Sequence, residues 1–134
     1  MTQISRLYRT MRAPRLSLRG SVTVTIQLEN KRQVTGKLYR LSVTGGLVEM
    51  GSYIDERSKI MMVFQLGAGL LQAKAEMLFP MRGGAGYFQP FRFTGFAPGA
   101  RQTLEAQVNA LLRQSAGPNH ELGFAAQRFL VDSF

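Results

Sequence analysis

Five arginines stand in the first nineteen residues of this 134-residue chain, Arg6, Arg9, Arg12, Arg15 and Arg19, the first four at every third position. In an extended polyproline-type segment, which has three residues per turn, that spacing aligns the four guanidinium groups along one side. Pro14 opposes a continuous helix there and biases Ala13 toward an extended conformation. Such a row is chemistry for anions, because each guanidinium is permanently charged, planar, and able to pair bidentately with phosphate or stack on a base. The wider charge distribution agrees. Residues 1–40 hold nine basic side chains (Lys31, Arg32, Lys37 and Arg40 complete the set) against the single acid Glu29, which is +8 of a total of +9. The concentration of charge on one segment implies a polyanionic partner, the plainer alternative being a solubilising arm.

A second group lies at Arg40-Leu-Ser42-Val-Thr-Gly45-Gly46, where a glycine-rich turn offers backbone amides and one hydroxyl. Catalytic chemistry has little to draw on. His120 is the only histidine and stands beside Gly117 and Pro118, and there is no cysteine. A thiolate or two-histidine zinc site and a nucleophile–base pair therefore cannot be assembled. Glu29, Glu49, Asp55, Glu56 and Glu76 are scattered over strand-like and loop-like segments, and no phosphate-loop or dinucleotide fingerprint is present. The chain is expected not to be an enzyme and to need no cofactor or metal. The lack of cysteine fits a reducing compartment. No apolar run reaches the roughly 20 residues of a bilayer helix, and the N-terminus lacks the apolar stretch of a secretory signal. A cytoplasmic location is the expectation.

The elements that must position these groups are mostly strands. Val22, Val24, Ile26 and Leu28 alternate with polar residues, a period of two with one buried face. Further strands are expected over 34–41, 47–50, 59–66, 71–79 and 87–96, with turns at Asn30–Arg32, at 42–46, at Gly67–Gly69 and at Gly83–Gly86. Pro90 in the aromatic strand points to an edge or a bulge. Short strands without helical crossovers predict an all-β fold, a six-stranded antiparallel β-barrel. One C-terminal helix follows, with Pro98 in its first turn, Leu104, Val108, Leu111 and Leu112 on one stripe, and Gly117-Pro118 as its stop. The organisation is an arginine-rich arm over 1–20, a barrel with its helix over 21–116, and a tail over 117–134. The tail carries Leu122, Ala125, Phe129 and Leu130 at helical spacing, and either docks on the barrel, the favoured reading, or forms a partner surface.

The order of these parts resembles the PilZ family over about residues 9–115: an arginine arm, a V-x-V-x-I strand, an L-S-V-T-G-G hairpin, a meander, an F-x-F-T-G-F strand and one amphipathic helix. The resemblance implies a split-barrel with a C-terminal helix, and a domain that binds the bacterial second messenger cyclic di-GMP. The family's ligand motifs are R-x-x-x-R before the first strand and [DN]-x-S-x-x-G at the second hairpin. Ser42 and Gly45 fall on the serine and glycine of the second motif, with Arg40 where the family has Asp or Asn. A guanidinium only donates, so Arg40 would read guanine O6 and N7 or stack on the base. Arg15 fits the second arginine of the first motif, being followed by Leu16, Leu18 and the strand at Val22, but its partner position is Met11, with Arg12 one residue away. The ligand set implied is Arg12, Arg15, Arg40, Ser42 and Gly45. The alternative function is a degenerate PilZ adaptor that has lost the nucleotide and acts by protein contact, through the tail or the aromatic strand. Nucleic-acid binding by a basic barrel with Tyr39, Phe91 and Phe93 ranks last.

Overall fold

The computed structural model describes residues 14–84 and 86–115, so the arm before Pro14, with Arg12, and the tail from residue 116, with the expected Gly117-Pro118 stop, lie outside the described residues. Among the described residues seven strands and one helix follow in order: β1 (Leu16–Gln27), β2 (Gln33–Leu41), β3 (Gly45–Met50), β4 (Lys59–Leu66), β5 (Gly69–Met77), β6 (Met81–Gly83), β7 (Gly86–Phe96) and α1 (Ala100–Ser115). All strand pairings are antiparallel. The sheet runs β3-β2-β1-β4-β5-β7, and a β3–β7 pairing closes it into the expected six-stranded barrel, with β6 added on β7. Closure pairs each of the six barrel strands on both sides over part of its length, which shortens the free edges that template aggregation.

The period of two decides what lies inside. Val22, Val24 and Ile26 of β1, Met62 and Phe64 of β4, and Leu71, Ala73, Ala75 and Met77 of β5 are all buried, while Thr23, Gln72 and Lys74 face solvent. Each large aliphatic side chain taken from water in this way contributes about 1.5–3 kcal/mol. The same alternation extends further back than expected. Leu16 and Leu18 are buried and Ser17 and Arg19 exposed, so residues 16–20 belong to β1 and not to the arm. What masked this is a bulge, in which the residues between Ser17 and Val22 face only Tyr39 of β2. Arg19 (φ 53°) and Gly20 (φ 84°) carry its left-handed turn.

Two further expectations need correction. Phe79 does not continue the buried face of β5, which ends at Met77; it is exposed in the link to β6. Pro90 marks neither an edge nor a bulge. It lies in the part of β7 paired to β3 on one side (Tyr87 to Arg92), at the point where the other partner changes from β6 (up to Phe88) to β5 (from Phe91). Its missing N–H therefore falls in the gap between two ladders, where the proline costs least.

Helix α1 buries Ala100, Leu104, Val108 and Leu111 against the barrel. Pro98 precedes the helix instead of sitting in its first turn. Pro98 and Gly99 (φ 79°) form a tight turn closed by Ala100 N–H donating to the Ala97 carbonyl at 2.9 Å, the pairing of proline and left-handed glycine that a type II turn requires. The helix then crosses the β4–β5 turn closely enough that a Cβ on Gly69 would lie 2.6 Å from Thr103 Cγ2. The start of β1, the β2–β3 hairpin, the β4–β5 turn and the end of β7 all lie at this same end of the barrel, as the registers require.

Candidate functional site

The β2–β3 hairpin is built by one serine and two glycines. Ser42 N–H donates to the Gly45 carbonyl at 2.7 Å, and the Ser42 hydroxyl accepts from Thr44 N–H at 3.2 Å. The same hydroxyl lies 3.0 Å from Thr44 Oγ1 and 3.3 Å from the Gly45 carbonyl, and Ser42 is 7% exposed. A serine bonding its own turn in this way rigidifies the loop. Gly45 and Gly46 are obligatory for a different reason. A Cβ on Gly45 would drive into the Phe91 carbonyl, and one on Gly46 into the Arg40 carbonyl. The hairpin is thus clamped between β2 and β7, and Phe93 N–H reaches the Thr44 carbonyl at 2.9 Å to fasten it.

Arg40 owes its direction to a bulge. Leu38 pairs with Val48 and Arg40 with Leu47, so Tyr39 is the extra residue. Strict alternation from buried Leu38 would turn Arg40 into the core; with the bulge, Tyr39 and Arg40 both leave the barrel and Leu41 returns inside. Tyr39 packs edge-on against Phe88, ring centroids 4.9 Å apart. On the neighbouring strand Ser17 stands opposite Arg40 and Leu16 opposite Leu41. Continued by one residue, that register sets Arg15, exposed just ahead of β1, across from Ser42. Of the five site residues expected from sequence, the fold therefore gathers Arg15, Arg40, Ser42 and Gly45 at one end and side of the barrel. Arg12 lies outside the described residues.

The structure adds cations outside the expected ligand set. Arg19 shares the exposed side of β1 with Arg15, and Gly20 beside it approaches Lys37, whose Cβ would be 3.8 Å from a Gly20 Cβ. Arg15, Arg19, Lys37 and Arg40 make no ion pair, whereas Arg92 on β7 pairs with Glu76 on β5; it is the one ion pair among the described residues. The signal for Arg19 was present as the Leu-Ser-Leu-Arg alternation; nothing in the sequence indicated Arg92, which reaches the hairpin only through the β3–β7 register. Unpaired cations on one face raise the local potential and favour an anion there. Among the described residues no group of three or more His, Cys, Asp or Glu comes together as a metal-ligand set, and no helix is long and apolar enough to cross a membrane.

No family model and no curated protein matches the chain. Solved structures do. The PilZ domain with c-di-GMP of YcgR from Escherichia coli superposes with a TM-score of 0.62 at 17% identity, over 79% of this chain and 94% of that one. The fold is PilZ-like. The PilZ domain of CeSA from a cellulose-synthesizing bacterium gives the same result, with a TM-score of 0.56 at 19% identity over 75% of this chain and 99% of that one. Against YcgR in complex with c-di-GMP the TM-score is 0.67 at 18% identity, but the chain spans only 47% of that protein. This PilZ-like barrel thus corresponds to one domain of a larger relative. Within it the serine–glycine hairpin and the leading arginine lie side by side because β1 and β2 pair to their ends.

Proposed function

We propose that the chain is a PilZ-like receptor domain for cyclic di-GMP, acting in the cytoplasm by binding and without catalysis. The observation that carries this is the pairing of Leu16 with Leu41, which sets Arg15 beside the Ser42–Gly46 hairpin. Arg12 and Arg15 neutralise the two phosphates and stack on a guanine; Arg40, aimed outward by its bulge, donates to guanine O6 and N7. Gly45 leaves the hairpin backbone bare, and Ser42 holds the turn. Each charged hydrogen bond is worth on the order of 1.5–3 kcal/mol, so a few of them decide between micromolar binding and none.

Calorimetric titration of the full chain with cyclic di-GMP at low salt is expected to give saturable binding, weakened about tenfold or more by Arg15→Ala, the loss of one charge-assisted contact. No heat at high micromolar ligand would refute the receptor function.

A second reading, a protein-binding adaptor that no longer takes nucleotide, draws on two observations. The Ser42 hydroxyl is already engaged in its own turn, and Phe79, Met81 and Tyr53 are exposed at the opposite end of the barrel. The aromatic strand is a poor interface, because Phe91 is 3% exposed and Phe93 packs edge-on against it at 5.3 Å. The same burial argues against these rings as stacking platforms for nucleic acid. An adaptor would show full activity in cells with Arg15→Ala and lose it with Phe79→Ser.

A further inference from the structure

We infer that Arg92 is a ligand-binding residue on the far flank of the hairpin, and that Glu76 is its built-in competitor. This rests on the receptor reading above and adds a contact, and a restraint on affinity, that the reading does not contain.

The placement follows from registers alone. Arg92 stands across from Gly45 in the β3–β7 pairing and across from Glu76 in the β5–β7 pairing. Ser42 lies next across from Gly45, its N–H donating to the Gly45 carbonyl at 2.7 Å. The transverse order is therefore Ser42, Gly45, Arg92, Glu76. The residue between Arg92 and Ser42 has no side chain, and an arginine side chain is longer than one strand spacing of about 4.8 Å. The Arg92 side chain is 62% exposed, while its partner Glu76 is 19% exposed and close to the barrel wall. Arg15 flanks the hairpin from the β1 side, so Arg15 and Arg92 bracket it.

The chemistry of the bracket is exchange. A phosphate diester laid on the hairpin can accept from Arg92 the charge-assisted hydrogen bonds that Glu76 now accepts. A pair this exposed contributes little to stability, so releasing it is cheap, yet every ligand must still compete with the resident carboxylate. Arg15, Arg19, Lys37 and Arg40, which have no ion-pair partner among the described residues, carry no such restraint. Glu76 thus sets the threshold concentration for the second messenger, and Arg92 supplies the contact once the threshold is passed.

The test is a titration of the full chain with cyclic di-GMP, using wild type, Arg92→Ala, Glu76→Gln and the double variant. Arg92→Ala is expected to weaken binding about tenfold, the loss of one charged contact. Glu76→Gln, which keeps the shape and removes the charge, is expected to tighten it several-fold, on the order of the worth of an exposed ion pair. In the Arg92→Ala background Glu76→Gln should then change nothing. Unchanged affinity in Arg92→Ala, with binding weakened by Arg15→Ala, overturns this inference and leaves the receptor function standing. Absence of binding in both wild type and Glu76→Gln overturns the two together.

Discussion

Arg19 shows how a single residue carries both strain and charge. Its φ of 53° lies in the left-handed region, where a side chain with a Cβ costs about 1–2 kcal/mol, and it is an exposed cation without an ion pair among the described residues. Strain of this kind persists where the surrounding structure imposes it, and it gathers at ligand sites. Arg19→Gly is expected to leave stability within about 1 kcal/mol of wild type, since relief of strain offsets the added freedom of the unfolded chain. Arg19→Val is expected to cost about 1–2 kcal/mol, a β-branched side chain being least tolerated at positive φ. Urea denaturation of both variants distinguishes the cases, and a Val variant as stable as Gly would remove the argument.

At the scale of elements, a buried amide helps to hold the end of the barrel far from the hairpin. Gln89 of β7 is fully buried in a strand otherwise rich in aromatics. Its side-chain oxygen accepts from Ile54 N–H at 2.9 Å, and its nitrogen donates to the Ile54 and Leu78 carbonyls, the latter at 2.9 Å. Two loops, 51–58 and 78–80, which also bond the strands through Arg57, Ser58 and Leu78, are thereby tied to the barrel at Ile54 and Leu78. Gln89→Leu preserves volume but strands these backbone groups, and each buried group left unsatisfied costs about 1–3 kcal/mol. A loss of about 2–4 kcal/mol on the same principle, with faster proteolysis within 51–58, is the expected outcome of thermal melts and limited digestion. Retained stability would mean that water replaces the amide.

For the molecule as a whole, the uneven charge has a consequence that no single contact has. Nearly all of the net +9 belongs to residues 1–40, and β1–β2 pairing brings the described part of that segment to one side of the barrel. A dianionic ligand is drawn by the summed field as well as by hydrogen bonds. Raising the salt from about 0.1 M to 1 M, which shortens the screening length from about 10 Å to about 3 Å, should therefore weaken cyclic di-GMP binding on the order of tenfold. Titrations at several salt concentrations measure this, and a flat dependence would place the affinity in local contacts alone.

The chain's own pattern determined much of this. The alternation of Val22, Val24 and Ile26, the turn glycines and the stripe through Leu104, Val108 and Leu111 dictate strands, hairpins and one helix, because side-chain period and burial are local properties. They also dictate closure, since strands with one apolar face and no helical crossovers have few other ways to hide it. Tertiary structure alone decided which way the arginines point. The bulges at Tyr39 and at Arg19–Gly20 shift side chains between faces, and a shift of one residue turns a core position into a surface one. It alone also decided that Arg92 stands beside Gly45, because their juxtaposition comes from the ladder between two strands distant in sequence, and register between such strands is settled by the packing of the whole barrel.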